Sequence, residues 1–404
     1  MHVLFADSVD ESGLAPLRAA GHTVTVDPSL SVEDLAAHVV GVDVLVVRST
    51  KVTADVVEAA DRLAMVVRAG AGTDTIDVSA AAANGVYVCN VPGRNAVAVA
   101  ELTMALLLAI DRRIVDGATD LRAGQWNKSE YKKADGVAGK TMGIIGLGAI
   151  GRAVARRAVA FDLRVIGLHR QGRSAEAEAE LATIGVELVA TQDELLARAD
   201  IVSVHVPGGD QTDQLVDATF LAAMKPDAIL LNTSRGSTLD GDALLHALNT
   251  TGLRAGLDVY PNEPSGGTGD FVSELASHPR VVGSHHVGAS TEQAQRSVAA
   301  GTVEVIEAFA RGEIINCVNM EHQQVGAALI TVRHRDEVGV LAQVFEILRQ
   351  AGINVQQMRN EVFRGGRAAV AIIGVDPCPT DAVLDRLTAV PEILGLECVV
   401  WTDG

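Results

Sequence analysis

Residues 143–151 read Gly-Ile-Ile-Gly-Leu-Gly-Ala-Ile-Gly, and they constrain the chain more than any other stretch. Gly146, Gly148 and Gly151 have the G-x-G-x-x-G spacing. An apolar run beginning at Lys140 precedes them and a helical segment, 150–160, follows. Strand, glycine turn and helix in that order are the context a dinucleotide-binding unit requires. The first glycine allows the tight turn, the second lets the backbone approach a pyrophosphate, and the third lets helix and strand pack closely. The N–H groups of residues 147–151, including those of Ala149 and Ile150, then meet the phosphates at a helix N-terminus.

A second apolar run, 163–168, follows the helical segment. In such a unit the end of the second strand usually carries an acidic residue for the ribose hydroxyls. Here the sequence continues Gly-Leu-His-Arg-Gln-Gly-Arg-Ser over residues 167–174. His169 and Arg170, followed by Arg173, offer cations where a carboxylate would repel a 2′-phosphate. The cofactor expectation is NAD(H) or NADP(H), leaning toward NADP(H).

Short β-branched runs alternate with helical ones on both sides of this unit. Strands are expected at 2–6, 43–48, 65–68 and 86–90, with helices at 12–20, 32–39 and 54–60. A long buried helix, 96–110, leads through 112–123 into a polar loop at 124–136. Further strands are expected at 201–207, 228–232, 254–258 and 280–284. Alternation of this kind gives parallel sheets covered on both faces. After a polar stretch, the order from residue 327 is strand, helix, hairpin across 364–366, helix, strand. That is the βαββαβ ferredoxin-like unit. The expected fold class is therefore α/β, with two doubly wound parallel-sheet (Rossmann-like) domains and a small terminal βαββαβ domain.

Three polar segments fall at carboxyl ends of strands: 232–236, 258–264 and 284–290. In an open parallel sheet those ends line one crevice. Arg235, Glu263 and His286 can therefore meet beside a dinucleotide. The trio suits hydride transfer from a secondary alcohol. A neutral imidazole takes the hydroxyl proton, a carboxylate fixes its tautomer, and a guanidinium holds a substrate carboxylate.

The net charge of −18 over 404 residues argues against nucleic acid or an anionic membrane as partner. The four cysteines, Cys89, Cys317, Cys378 and Cys398, are scattered without ligand spacing, so neither a disulfide framework nor a metal site is expected. The chain opens without a signal-peptide pattern, and a cytoplasmic location is expected.

Taken together, residues 146–151, 232–236, 258–264 and 286–291 resemble the D-isomer-specific 2-hydroxyacid dehydrogenases. Residues 48–55, Trp126-Asn127-Lys128 and the terminal unit, which looks like an ACT regulatory domain, are most similar to family members that oxidise D-3-phosphoglycerate to 3-phosphohydroxypyruvate at the head of serine synthesis. The resemblance implies a discontinuous substrate domain (1–97 and 290–318), a dinucleotide domain (98–289), a linker (319–326) and an ACT domain (327–404). It implies Arg235 as substrate anchor, Glu263 as the group orienting the imidazole, and His286 as acid/base. Asp258 would face the nicotinamide, and Val206, Pro207, Thr233, Ser234, Val287, Gly288 and Ala289 would line the cofactor pocket. Arg48, Lys51 and Lys128 would bind a substrate phosphate, with Gly72 and Asn95 nearby. In the terminal unit His334, Asp336 and Asn354 would receive an amino-acid effector. A homodimer or homotetramer is implied. Two other functions remain open: an NADPH-dependent reductase of glyoxylate or hydroxypyruvate, and a dinucleotide-sensing binding protein or corepressor.

Overall fold

The computed structural model describes residues 1–9, 11–264, 268–320 and 326–400. They form two compact units, Met1–Asn319 and Met320–Gly404. Most of the expected linker lies outside the described residues.

The first unit holds two all-parallel sheets. Strands β1 (His2–Phe5), β2 (Thr23–Val26), β3 (Val44–Val47), β4 (Met65–Arg68) and β5 (Tyr87–Asn90) form one, in the order β2-β1-β3-β4-β5. Strands β6 (Thr141–Ile145), β7 (Arg164–Leu168), β8 (Val186–Val189), β9 (Ile201–Val204), β10 (Ile229–Asn232), β11 (Arg254–Leu257) and β12 (Val281–Gly283) form the other. Its order is β12-β11-β10-β9-β6-β7-β8. The chain reverses direction across the sheet between β6 and β9, and a ligand crevice opens at that switch point beyond the strand ends.

Helices cover both faces, as continuous apolar strands such as Val-Leu-Val-Val in β3 demand. The Ala96–Arg112 helix packs on β10, β11 and β12, with Leu106 and Ile110 against Gly256. The Glu292–Ala310 helix returns to the first sheet, where Val303, Val305 and Ile306 meet Val3, Phe5 and Met65.

The second unit is one antiparallel sheet of β13 (Ala328–Arg335), β14 (Asn354–Val362), β15 (Ala368–Asp376) and β16 (Ile393–Val400), in the order β14-β15-β13-β16. The Val340–Gln350 and Asp381–Thr388 helices bury Val344, Leu348, Val383 and Leu387 with Ile330, Val332 and Ile373. This is the expected βαββαβ topology.

Among the elements that the sequence did not make legible are two strands and a helix of the first unit. β2 and β8 are four-residue edge strands, Thr-Val-Thr-Val and Val-Glu-Leu-Val, too short to show a period. The Val78–Ala83 helix is four alanines, one valine and one serine, with no polar face to alternate. The expected polar loop is also more ordered than its composition suggests. Arg113 breaks the long helix in a left-handed conformation, and Ile114–Arg122 and Lys128–Tyr131 continue as helices.

Candidate active site

The glycine turn between β6 and the Ala149–Ala160 helix is shaped by contact. Gly146 adopts φ +97°, and a Cβ there would run into the His205 carbonyl. A Cβ on Gly151 would collide with the Gly146 carbonyl, whereas one on Gly148 would meet nothing within 4 Å. Two glycines thus serve packing, and the third leaves backbone open at the helix N-terminus. These residues fit the pyrophosphate of a dinucleotide. Val206 lies against Gly146, and Gly93, two residues before Asn95, lies opposite Ala149. The Asn95 Oδ1 is buried and has no hydrogen-bond donor, so the site presents an unused acceptor there.

At the end of β7, His169 is not free of carboxylates. Glu178, from the Ala175–Ile184 helix, places Oε1 3.5 Å from its Nε2. No acid lies within 167–175, but the following helix supplies one three residues in. Arg173 folds back, donating from Nη2 to the Leu168 carbonyl at 3.2 Å, and its Nη1 is buried without a partner. Arg170 is exposed.

Arg235, Glu263 and His286 come together. His286 Nδ1 lies 2.6 Å from Glu263 Oε1. The hydrogen bond to Glu263 raises the His286 pKa above its ordinary value. Burial opposes the shift, the charges of Glu263 and Asp258 add to it, and Arg235 works against it. Burial pushes the Glu263 carboxyl up, but hydrogen bonding to His286 and the charges of His286 and Arg235 bring it below the usual range. Adjacent His285 is exposed.

His286 sits at φ +52°, a conformation that costs a non-glycine residue about 1–3 kcal/mol. Asp258 holds it there. The Asp258 carbonyl accepts from the His286 N–H at 2.8 Å. Its carboxylate accepts from Ser284 Oγ (2.6 Å), the Val287 N–H (2.9 Å) and the Gly288 N–H (2.8 Å). At 1% exposure Asp258 is sealed behind this turn. Its four bonds hold the turn that carries the histidine.

Asn232 plays the same part for Arg235. It is fully buried, donates from Nδ2 to the Arg235 carbonyl at 3.2 Å, and accepts from both the N–H and the Oγ of Ser234. Thr233 Oγ1 pairs with Thr103 Oγ1 at 2.9 Å. The Thr233 and Ser234 hydroxyls are therefore engaged internally, and these residues present shape and backbone to the pocket.

The first sheet supplies the opposite wall. Arg235 Nε donates to Asp74 Oδ2 at 3.0 Å, and a Cβ on Gly72 would collide with the Arg235 guanidinium. Beside them lies Arg68, at the end of β4, which the sequence reading passed over. Its side chain crosses Gly70, and its Nε is buried without an acceptor. Burial, and then the positive charges of Arg235 and Arg48, hold the guanidinium below its ordinary pKa against the opposing pull of Asp74 and Asp7. Three guanidiniums thus crowd one place, with two aspartates to balance them. Lys51 is exposed on the loop after β3.

Lys128 does not join this cluster by any hydrogen bond or ion pair among the described residues. Its short helix is tied to its own neighbours, through Arg113–Glu130 (2.5 Å) and Tyr131 Oη to Asp120 (2.6 Å). In the second unit, His334 is buried and pairs through Nε2 with Asn360 Oδ1 at 3.1 Å. Asn354 stands at the opposite end of the sheet. It is opposite Asp376 on β15, whereas His334 is opposite Ala369. One copy therefore does not bring Asn354 to His334 and Asp336.

Residues 104–288 match the family model described as D-isomer specific 2-hydroxyacid dehydrogenase, NAD binding domain. The chain is 39% identical over 302 residues to a hydroxypyruvate reductase of Thermotoga maritima, spanning 74% of this chain and 95% of that protein. The chain belongs to the D-isomer specific 2-hydroxyacid dehydrogenases. Another member, a D-3-phosphoglycerate dehydrogenase of Methanocaldococcus jannaschii, is 38% identical over 330 residues, 80% of this chain. The chain spans 61% of that relative's length. Among solved structures, the TT0316 protein of Thermus thermophilus superposes with a TM-score of 0.69 at 33% identity, covering 79% of this chain and all of that one. Among the described residues of this dehydrogenase, no helix is long and apolar enough to cross a membrane.

Proposed function

We propose that the protein is an NAD(P)-dependent dehydrogenase that oxidises D-3-phosphoglycerate to 3-phosphohydroxypyruvate. The observation that carries this reading is the cluster of Arg48, Arg68 and Arg235 beside the His286–Glu263 pair. A 2-hydroxy acid with a second anionic group needs more cationic charge than one arginine supplies. The Methanocaldococcus relative's activity supports the same substrate.

In the reaction, Arg235 holds the substrate carboxylate through its guanidinium fork, and Arg48 and Arg68 meet the phosphate. His286 presents Nε2 to the 2-hydroxyl and takes its proton. Glu263 keeps Nδ1 protonated and stabilises the imidazolium that results. The bound dinucleotide supplies the hydride acceptor, on the N-terminus of the Ala149–Ala160 helix. Reduction runs the proton back from His286. NADP(H) is accepted through Arg170 and Arg173, and Glu178 tempers the preference.

A second reading, reduction of glyoxylate or hydroxypyruvate with NADPH, is favoured by the Thermotoga relative and by the same two arginines. The terminal unit pairs with a second copy, as its marginal size favours. An amino acid then sits where His334 and Asp336 of one copy approach Asn354 of the other.

Initial rates of the full-length protein with D-3-phosphoglycerate, D-glycerate, glyoxylate and hydroxypyruvate, each with both cofactors, test the choice. The phosphorylated substrate should have the highest kcat/KM. Preference for glyoxylate or hydroxypyruvate would establish the second reading in its place. Dinucleotide binding without turnover of any of the four would move the protein to the sensing class.

A further inference from the structure

The four cysteines are scattered in sequence, yet they meet as two pairs, Cys89 with Cys317 and Cys378 with Cys398, and the first pair is also joined by a backbone bridge. Cys89 lies in β5, and Cys317 lies in the segment that leaves the first unit. The two form an isolated antiparallel bridge, and their sulfurs are in hydrogen-bond contact. The bridge is flanked by the bonds Asn90 N–H to Asn316 carbonyl (3.1 Å) and Val318 N–H to Val88 carbonyl (2.8 Å). Cys89 and Cys317 therefore occupy the non-hydrogen-bonded position of a short antiparallel pair. Opposed Cα atoms there are about 4.5 Å apart and side chains leave on one face. That separation falls inside the ~4.4–6.8 Å window for a disulfide.

We propose that Cys89 and Cys317 are a redox-modification site, forming an intramolecular disulfide under a small-molecule disulfide oxidant such as glutathione disulfide. Cys317 is partly exposed and Cys89 is fully buried, so Cys317 reacts first. Its thiolate attacks the oxidant, forms a mixed disulfide and releases one glutathione thiolate. Cys89 then attacks the Cys317 sulfur, giving up its proton and expelling the second glutathione. Two protein thiols are oxidised and one glutathione disulfide is reduced to two glutathiones. Burial pushes the Cys89 thiol up to about 12, so the second step is the slow one, and the reduced pair is stable at rest.

The bond would close a loop of roughly 230 residues around most of the first unit. It also lies behind the substrate wall. Just beyond Cys89, Asn90 Nδ2 donates to the Ala71 carbonyl (2.6 Å) and the Val91 N–H to the Gly70 carbonyl (2.8 Å). Those bonds hold the turn that brings Gly72 to Arg235. The clasp touches no residue of the catalytic pair, so it tightens the lobe without entering the reaction.

The test uses the full-length protein, reduced, then incubated natively with glutathione disulfide, blocked with a maleimide and digested without reductant. Mass spectrometry should find the Cys89 and Cys317 peptides joined, two hydrogens lighter than their sum. The oxidised protein should melt about 5–10 °C higher, reverting with dithiothreitol. Cys317→Ser should show neither the crosslink nor the shift. Cys317 ending as a glutathione adduct beside a free Cys89, or joined to Cys378 or Cys398, would overturn the proposal. The mapping of the wild-type protein decides this even if the variant folds poorly.

Discussion

Replacing Glu263 with Gln removes a charge and leaves the volume, which makes it the sharpest probe of the acid/base pair. The Glu263–His286 bond is 2.6 Å long, and the two side chains are 34% and 47% exposed. A charge-assisted hydrogen bond contributes roughly 1.5–3 kcal/mol when enclosed. With this much solvent access, screening puts it at the lower end of that range. The sign follows from the direction of the shift. His286 titrates above its ordinary 6.5 because Glu263 favours the imidazolium. Alcohol oxidation needs the neutral imidazole, so its rate rises as pH climbs through that raised pKa. Glu263→Gln should move this limb toward lower pH. The amide also donates to Nδ1 as readily as it accepts, which lets the ring adopt the tautomer with no base at Nε2. A fall in kcat of about 10²-fold should accompany the shift, with dinucleotide affinity unchanged. The assay is the pH profile of kcat for oxidation, read alongside NADH or NADPH binding by fluorescence. A rate within twofold of wild type and a limb that has not moved would show that His286 is not the base.

Four further substitutions probe the remaining parts. Arg68→Gln should raise KM for phosphoglycerate about tenfold or more and leave KM for an unphosphorylated 2-hydroxy acid nearly unchanged, in steady-state kinetics; equal effects would assign Arg68 to folding. Gly151→Ala drives a methyl into the Gly146 carbonyl. Isothermal titration should therefore show dinucleotide affinity falling by about tenfold or more in a protein that still folds, and wild-type affinity would refute the role given to that contact. Arg173→Gln should lower the NADPH/NADH ratio of specificity constants by about fivefold or more, and Glu178→Gln should raise it. A ratio that neither variant moves would place the ribose end of the cofactor elsewhere.

The sequence made the dinucleotide unit readable because its determinants are local. Gly146, Gly148 and Gly151 lie within six residues, flanked by a strand and a helix long enough to show their periods. The catalytic trio was readable for a different reason. Arg235, Glu263 and His286 are far apart in sequence, but each follows a strand of one parallel sheet, and such a sheet brings its strand ends together. The hold of Asp258 on the histidine turn was not legible, since only coordinates show its carboxylate accepting from three donors. Glu178 was missed because it reaches His169 from the next helix, outside the window in which an acid was sought. The segment around Lys128 ties itself to its own neighbours through Arg113–Glu130 and Tyr131–Asp120, side-chain pairings that composition does not carry.

Arg68 is the more instructive omission. The rule that identified Arg235 was that a charged residue just past a parallel strand points into the crevice. Applied to the first sheet, it selects Arg48 after Val44–Val47 and Arg68 closing Met65–Arg68, before a glycine turn. An arginine at a strand end ordinarily extends into solvent. Arg68 does not, because Gly70 lies under its guanidinium and its Nε is buried without an acceptor. A buried cation next to two others is costly unless an anion completes the site. Asp74 and Asp7 supply part of that charge, and Asp74 is already engaged with Arg235. On the proposed function, a substrate with two anionic groups offsets the remaining excess. On that same proposed function, the first sheet selects the substrate for the same physical reason that the second sheet brings Arg235, Glu263 and His286 together: parallel strands deliver their last side chains to one edge.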